Sequence, residues 1–236
     1  RSMNILITGH TSGLGLAIAE YYLDNNATVF GLSRSFSESK HPRLSERKVD
    51  LSSPKGVVPA LDSLGLERQN LNLAILNAAE LGEIKPLSET KLHSLQKTLD
   101  LNVWSNKFIL DWLIGKNKHP EQIIMISSGA ALNAHFGWSA YSISKACLNT
   151  IAKLYAYEFP NSHISAVAPG LIDTRMQQAL RLEDSMRFPS LRRLHEAYER
   201  NALPSPFETA KSLVQHLPQI KNLPSGDYID LRDLKK

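Results

Sequence analysis

Asn4-Ile5-Leu6-Ile7-Thr8-Gly9-His10-Thr11-Ser12-Gly13-Leu14-Gly15, followed by Leu16-Ala17-Ile18-Ala19-Glu20-Tyr21-Tyr22-Leu23, sets a short apolar strand, a glycine-rich turn and an amphipathic helix in that order. Glycine lets the chain turn sharply and come close to a ligand, and the positive end of the following helix favours a pyrophosphate there. The turn alone is weak evidence, because a tight connection without a ligand uses the same residues. The pattern continues beyond it. Strand-like runs recur at 4–8, 28–33, 47–51, 73–77, 122–127, 164–168 and 227–231, separated by segments with helical spacing. Alternating strands and helices specify a parallel sheet covered by helices on both faces. Continuous apolar runs such as Ile123-Ile124-Met125-Ile126 are what buried strands of that kind need. The expected fold is α/β, a single doubly wound domain with seven parallel strands.

Composition agrees with one globular domain. The chain has 236 residues, 42% hydrophobic and 21% charged, and single α/β domains often run to about 250 residues. No internal repeat or linker divides it, so the domain is taken as 3–236, with Arg1 and Ser2 set aside as additions ahead of Met3. The lone Cys147 excludes an intramolecular disulfide. With no signal-peptide pattern and no run of 18 apolar residues, a cytoplasmic address without a membrane partner is expected. The net charge of +4 is spread over scattered Lys and Arg, which reads as a solvated basic surface and not as a nucleic-acid site. Eight histidines lack metal-binding spacing, so no metal is expected. The stretch 87–118 reads as one helix with a long lead-in, with Trp104 and Trp112 on a buried stripe. The least regular segment, 171–206, carries Arg181, Arg187, Arg192 and Arg193 and reads as an inserted lid. Cys147 reads as a small buried hydrophobe, and His10 as a phosphate contact or a solvent-facing loop residue.

After the second strand comes Leu32-Ser33-Arg34, with no carboxylate to hold a ribose 2′-hydroxyl. Arg34 is either a guanidinium for a 2′-phosphate, which makes NADP(H) the expected cofactor, or an exposed loop arginine. Tyr141 and Lys145 stand four apart and share one helix face. Ser128 follows the strand ending at Ile126 and precedes Tyr141 by thirteen residues; Asn102 lies upstream in Leu101-Asn102-Val103. Reduction of a ketone puts negative charge on oxygen as hydride reaches carbon, so a site needs a proton donor and an oxyanion stabiliser. Tyr141, with Lys145 to favour its phenolate, and Ser128 have the chemistry for those two tasks.

Together these motifs resemble the short-chain dehydrogenase/reductase family, whose Rossmann fold and carbonyl chemistry the resemblance implies. It implies a catalytic set of Asn102, Ser128, Tyr141 and Lys145, in which Asn102 keeps a water between the lysine and solvent. It assigns the cofactor to Gly9, Thr11, Ser12, Gly13, Leu14 and Gly15, with Asp50 and Leu51 at the adenine, although an Asp ending a strand is also an ordinary turn residue. Leu76-Asn77-Ala78-Ala79 resembles the family's Asn-Asn-Ala-Gly loop, with Leu76 and Ala79 as departures, and the resemblance assigns Asn77, Ala78 and Ala79 to the cofactor. Pro169, Gly170, Ile172 and Thr174 match its nicotinamide segment, and Lys145 would also hold the nicotinamide ribose. The stretches 173–181 and 224–233 are similar to sepiapterin and benzil reductases, which reduce adjacent dicarbonyls. That likeness implies a small-molecule 1,2-dicarbonyl or pterin-like substrate near His135, Trp138, Met176 and Asp230. The last of these either anchors a pterin edge or is simply a surface carboxylate. Alternatives are 3-oxoacyl, steroid or sugar ketones, or a non-catalytic NADPH-binding sensor. The family also implies a homodimer or homotetramer packed through the helices holding Asn102 and Tyr141.

Overall fold

The computed structural model describes residues 2–38 and 40–235. Strands β1 (Asn4–Thr8), β2 (Thr28–Ser33), β3 (Leu44–Lys48), β4 (Leu73–Leu76), β5 (Gln122–Ile126), β6 (His163–Ala168) and β7 (Tyr228–Asp230) form one sheet. Its order is β3-β2-β1-β4-β5-β6-β7 and every pairing is parallel. The strand order reverses between β1 and β4, which opens a crevice at their carboxyl ends, where open α/β sheets bind ligands.

Because successive residues of a strand face opposite sides, each strand feeds two cores. Leu6, Ala74 and Leu76 point to one side, where α2 (Pro54–Ser63), α4 (Ser105–Gly115) and α6 (Ser139–Glu158) contribute Leu61, Ile109 and Leu148. Ile5, Ile7 and Ile75 point to the other, against α1 (Gly13–Asp24) and α9 (Pro206–Lys221) through Ile18, Leu213 and Ile220. Helix α9 starts where Pro206 and a Ser205–Glu208 capping box satisfy its first amides.

Three details depart from the sequence reading. β3 runs 44–48, three residues ahead of the expected strand, and no helix joins it to β2 among the described residues. The connecting stretch is rich in Ser and carries Pro42, with no apolar stripe to bury, so a helix there has nothing to pack. β3 itself, Leu-Ser-Glu-Arg-Lys, is a charged edge strand. The 87–118 helix is interrupted: α3 (Leu92–Leu99) leads into a π turn (Asp100–Trp104) before α4. Eight residues of ordinary helix set Trp104 and Trp112 about 80° apart, so Trp112 is buried while Trp104 is 45% exposed. Cys147 is half-buried.

The 171–206 segment is more ordered than its sequence suggests. Helices α7 (Arg175–Arg181) and α8 (Ser190–Glu199), with the turn between them, bury Leu180, Phe188, Leu191 and Leu194 against Ile84, Ala130 and Trp138, a third apolar cluster above the crevice. Ala130 opens the single-turn helix α5 (Ala130–Asn133).

Candidate active site

The glycine turn is held by side chains from β4's end. Thr8 Oγ1 accepts the amides of Asn77 at 2.9 Å and Ala78 at 3.1 Å, and Asn77 Nδ2 donates to the Thr8 carbonyl at 3.2 Å. Gly9 and Gly13 adopt positive φ angles of 71° and 54°. A Cβ on Gly15 would lie 2.1 Å from the Gly9 carbonyl oxygen, so the first turn of α1 closes against the loop only with glycine there.

This turn forms one end of a cavity of about 570 Å³ that runs along the carboxyl ends of the sheet. Of the residues expected at the cofactor, Gly9, Ser12, Gly13, Leu14, Arg34 and Leu51 line it. So do Asn77, Ala78, Ala79, Pro169, Gly170, Ile172 and Thr174. Thr11, Gly15 and Asp50 do not. Thr11 Oγ1 instead meets Ser33 Oγ at 2.8 Å and Ser35 Oγ at 3.1 Å, giving a hydroxyl cluster beside Arg34. Asp50 makes a turn, accepting the Ser52 amide at 3.0 Å and hydroxyl at 2.7 Å, and these bonds hold its carboxyl below the usual range. His10 is neither a phosphate contact nor exposed. Its ring is buried over Gly31, where a Cβ would be 2.5 Å away, and Nε2 meets Glu46 Oε2 at 2.7 Å.

At the other end, Ser128, Tyr141 and Lys145 line the same cavity. Helix α6 brings Tyr141 and Lys145 onto one face, and the Lys145 ammonium lies 5.6 Å from the Tyr141 ring centre. Lys145 Nζ donates to the Ile126 carbonyl at 2.8 Å and is almost fully buried. Burial pushes its pKa down to about 8. Burial raises the Tyr141 phenol above its ordinary value, and a hydrogen bond from Ser128 opposes that rise. Burial thus favours the protonated phenol over the phenolate.

Asn102 sits in the π turn behind the cavity wall. Its side chain accepts the Glu80 amide and donates to the Glu80 carbonyl, both at 2.8 Å, and donates to Ser144 Oγ at 3.0 Å. Its own carbonyl accepts from Asn106 Nδ2 at 2.9 Å. π turns are rare and concentrate at functional sites.

The substrate end is walled by Leu81, Trp138, Leu171, Met176, Leu180 and Leu194, with His135 among them. His135, Trp138 and Met176 thus line this end of the cavity. Asp230 does not line the cavity. Its carboxylate is bridged by Arg232, through Nε at 2.9 Å and Nη2 at 2.6 Å, and it is Arg232 that lines the wall beside Gly170. A carboxylate so engaged is not presented to a pterin edge. Sequence reasoning missed Glu80, Gln177 and Ser190 as cavity residues, and of the four arginines it placed in the lid, Arg193 lines the cavity. The helical spacing of Ser190, Arg193 and Leu194, shared with buried Leu191, was the available signal.

The short chain dehydrogenase family model matches residues 3–185. The chain belongs to this family. Two curated relatives are similar along nearly the whole length. The benzil reductase ((S)-benzoin forming) of Bacillus subtilis is 29% identical over 240 residues, covering 97% of this chain and 98% of that protein. The corresponding enzyme of Saccharomyces cerevisiae is 27% identical over 253 residues, covering 97% and 95%. Among solved structures, a short-chain dehydrogenase/reductase from Saccharomyces cerevisiae superposes with a TM-score of 0.87 at 23% identity, covering 98% of this chain and 97% of that one. As a short-chain dehydrogenase the chain is an oxidoreductase that uses a nicotinamide cofactor, and no helix among its described residues is long and apolar enough to cross a membrane.

Proposed function

We propose that the protein is an NADPH-dependent carbonyl reductase acting on 1,2-dicarbonyl compounds. The observation that carries this reading is one cavity in which Ser128, Tyr141 and Lys145 meet a largely apolar wall at one end and a glycine cradle with an unpaired arginine at the other. The full-length similarity to benzil reductases supports the dicarbonyl class.

The cradle fits a dinucleotide: positive φ angles and the absence of side chains at Gly9 and Gly13 leave room for a pyrophosphate at the start of α1. Gly9, Ser12, Gly13 and Leu14 would hold the pyrophosphate, Leu51 the adenine, Lys145 the nicotinamide ribose, and Pro169, Gly170, Ile172 and Thr174 the nicotinamide. When bound, the reduced cofactor supplies a hydride. Ser128 holds the substrate oxygen, and Tyr141 gives it the proton. Lys145 lowers the phenolate's cost once the proton has left. Asn102 fixes the loop at Glu80 and the turn of α6 at Ser144. The second carbonyl of the substrate withdraws electrons from the first, which eases hydride acceptance, and α7 and α8 exclude water above it.

Arg34 makes no ion pair among the described residues and faces the cavity beside the Thr11, Ser33 and Ser35 hydroxyls. A charged hydrogen bond to a 2′-phosphate is worth about 1.5–3 kcal/mol, so NADPH is expected to bind roughly ten- to hundredfold more tightly than NADH. Arg34→Asp narrows or inverts that preference. Fluorescence titration with both cofactors checks it, and equal affinities in the unmodified protein refute it.

Initial rates with NADPH test the substrate class. Benzil is expected to be turned over in preference to a 3-oxoacyl thioester or a sugar ketone. Efficient reduction of the thioester with no detectable reduction of benzil removes the dicarbonyl assignment.

The helices carrying Asn102 and Tyr141 also leave Trp104, Ile143 and Leu154 exposed. We propose that these faces pack against a second copy to form a homodimer, or a tetramer built from it. Sedimentation at micromolar concentration is expected to give an oligomer that Leu154→Arg dissociates; a monomer in the unmodified protein overturns this.

A further inference from the structure

Five cationic side chains line the cavity, Arg34, Lys145, Arg175, Arg193 and Arg232, against the single carboxylate of Glu80. Most have a task. Arg34 and Lys145 belong to the cofactor end on the reading above, and Arg232 is neutralised by Asp230. Arg175 follows Thr174, whose methyl lies 3.6 Å from the Cβ position of Gly13, and so stands beside the pyrophosphate cradle. Arg193 remains. It has no ion pair or hydrogen bond among the described residues, whereas Arg181 pairs with Asp173 and stacks on Tyr198, and Arg187 pairs with Glu89.

Its place in the fold puts Arg193 at the substrate end. Trp138 Nε1 donates to Ser190 Oγ at 3.0 Å, and the Trp138 ring lies 6.1 Å from that of Tyr141. Arg193 is one helical turn beyond Ser190, about 4.5 Å along α8, and both line the cavity. Buried Leu191 and Leu194 hold α8 in place, so the guanidinium is presented from a fixed helix. An uncompensated guanidinium beside an apolar wall raises the local concentration of anions and matches the two oxygens of a carboxylate.

We infer that the substrate is an anionic 1,2-dicarbonyl, with an apolar body against Trp138 and Leu194 and a carboxylate-like group held by Arg193. This rests on the dicarbonyl reading of the same site, yet its test does not need turnover. The probes are benzil-4-carboxylate and its neutral methyl ester, titrated by calorimetry into the protein saturated with NADP⁺. The readout is the ratio of the two affinities within one protein, which a general loosening of the lid moves little. The unmodified protein is expected to bind the carboxylate about ten- to hundredfold more tightly than the ester, with the ratio falling as salt rises. Arg193→Met is expected to bring the ratio to about one, and Arg193→Lys to keep part of it. A ratio near one in the unmodified protein, or a ratio that survives Arg193→Met, overturns the inference. Benzil turnover with NADPH, measured separately, decides the underlying dicarbonyl reading: loss of turnover with the affinity ratio intact removes that reading and leaves the anion site standing.

Discussion

Tyr141→Phe is expected to lower kcat about 10³-fold while changing the affinity for NADPH less than about threefold, the scale on which a positioned general acid contributes. Phenylalanine keeps the ring that packs 6.1 Å from Trp138 and 5.6 Å beneath the Lys145 ammonium, so the wall is preserved and only the hydroxyl bonded to Ser128 is lost. Burial favours that phenol's protonated form, which is the form a reductase needs before hydride transfer. Steady-state rates with benzil and a fluorescence titration with NADPH separate the two effects. Full activity in the phenylalanine variant assigns the acid elsewhere.

Lys145→Met is expected to damage both chemistry and binding, with kcat/KM falling about 10³-fold, because the amine stabilises the phenolate and would hold the nicotinamide ribose. It also has a signature in the protein without ligand. The folded-state pKa of about 8 lies below the ordinary 10.5 of lysine, so between those pH values the unfolded chain binds more protons than the folded one. Stability therefore rises with pH across that window, by about 3 kcal/mol from this residue alone. Urea titrations of the unmodified and methionine proteins are expected to diverge in favour of the unmodified protein from pH 7.5 to pH 10. A difference that does not change with pH refutes the depressed amine.

The sheet was legible because its strands are apolar runs in a repeating βα order. Six of the seven lie within a residue or so of the runs that announced them. β3 was not, since an edge strand facing solvent needs no apolar signal, and Leu-Ser-Glu-Arg-Lys reads as a loop. The cavity's cofactor half followed from local motifs, because the backbone does the binding and glycine spacing records backbone. The substrate half did not. The Asp230–Arg232 pair is a two-residue contact whose outcome depends on which of the two turns toward Gly170, and Arg193 reaches the cavity only through the packing of α8. His10 showed the same limit: its partner Glu46 is thirty-six residues away, and the room for its ring comes from Gly31.

The π turn at Asp100–Trp104 keeps its contacts at the expense of helix regularity. A π turn is an α-helix with one residue too many, so deleting a residue such as Leu101 restores uninterrupted helix geometry between α3 and α4. Such a deletion gains regular backbone bonding but swings the asparagine's neighbours by roughly a quarter turn, detaching the braces at Glu80 and Ser144. The interruption is thus one residue away from a regular helix that would no longer brace Glu80 and Ser144.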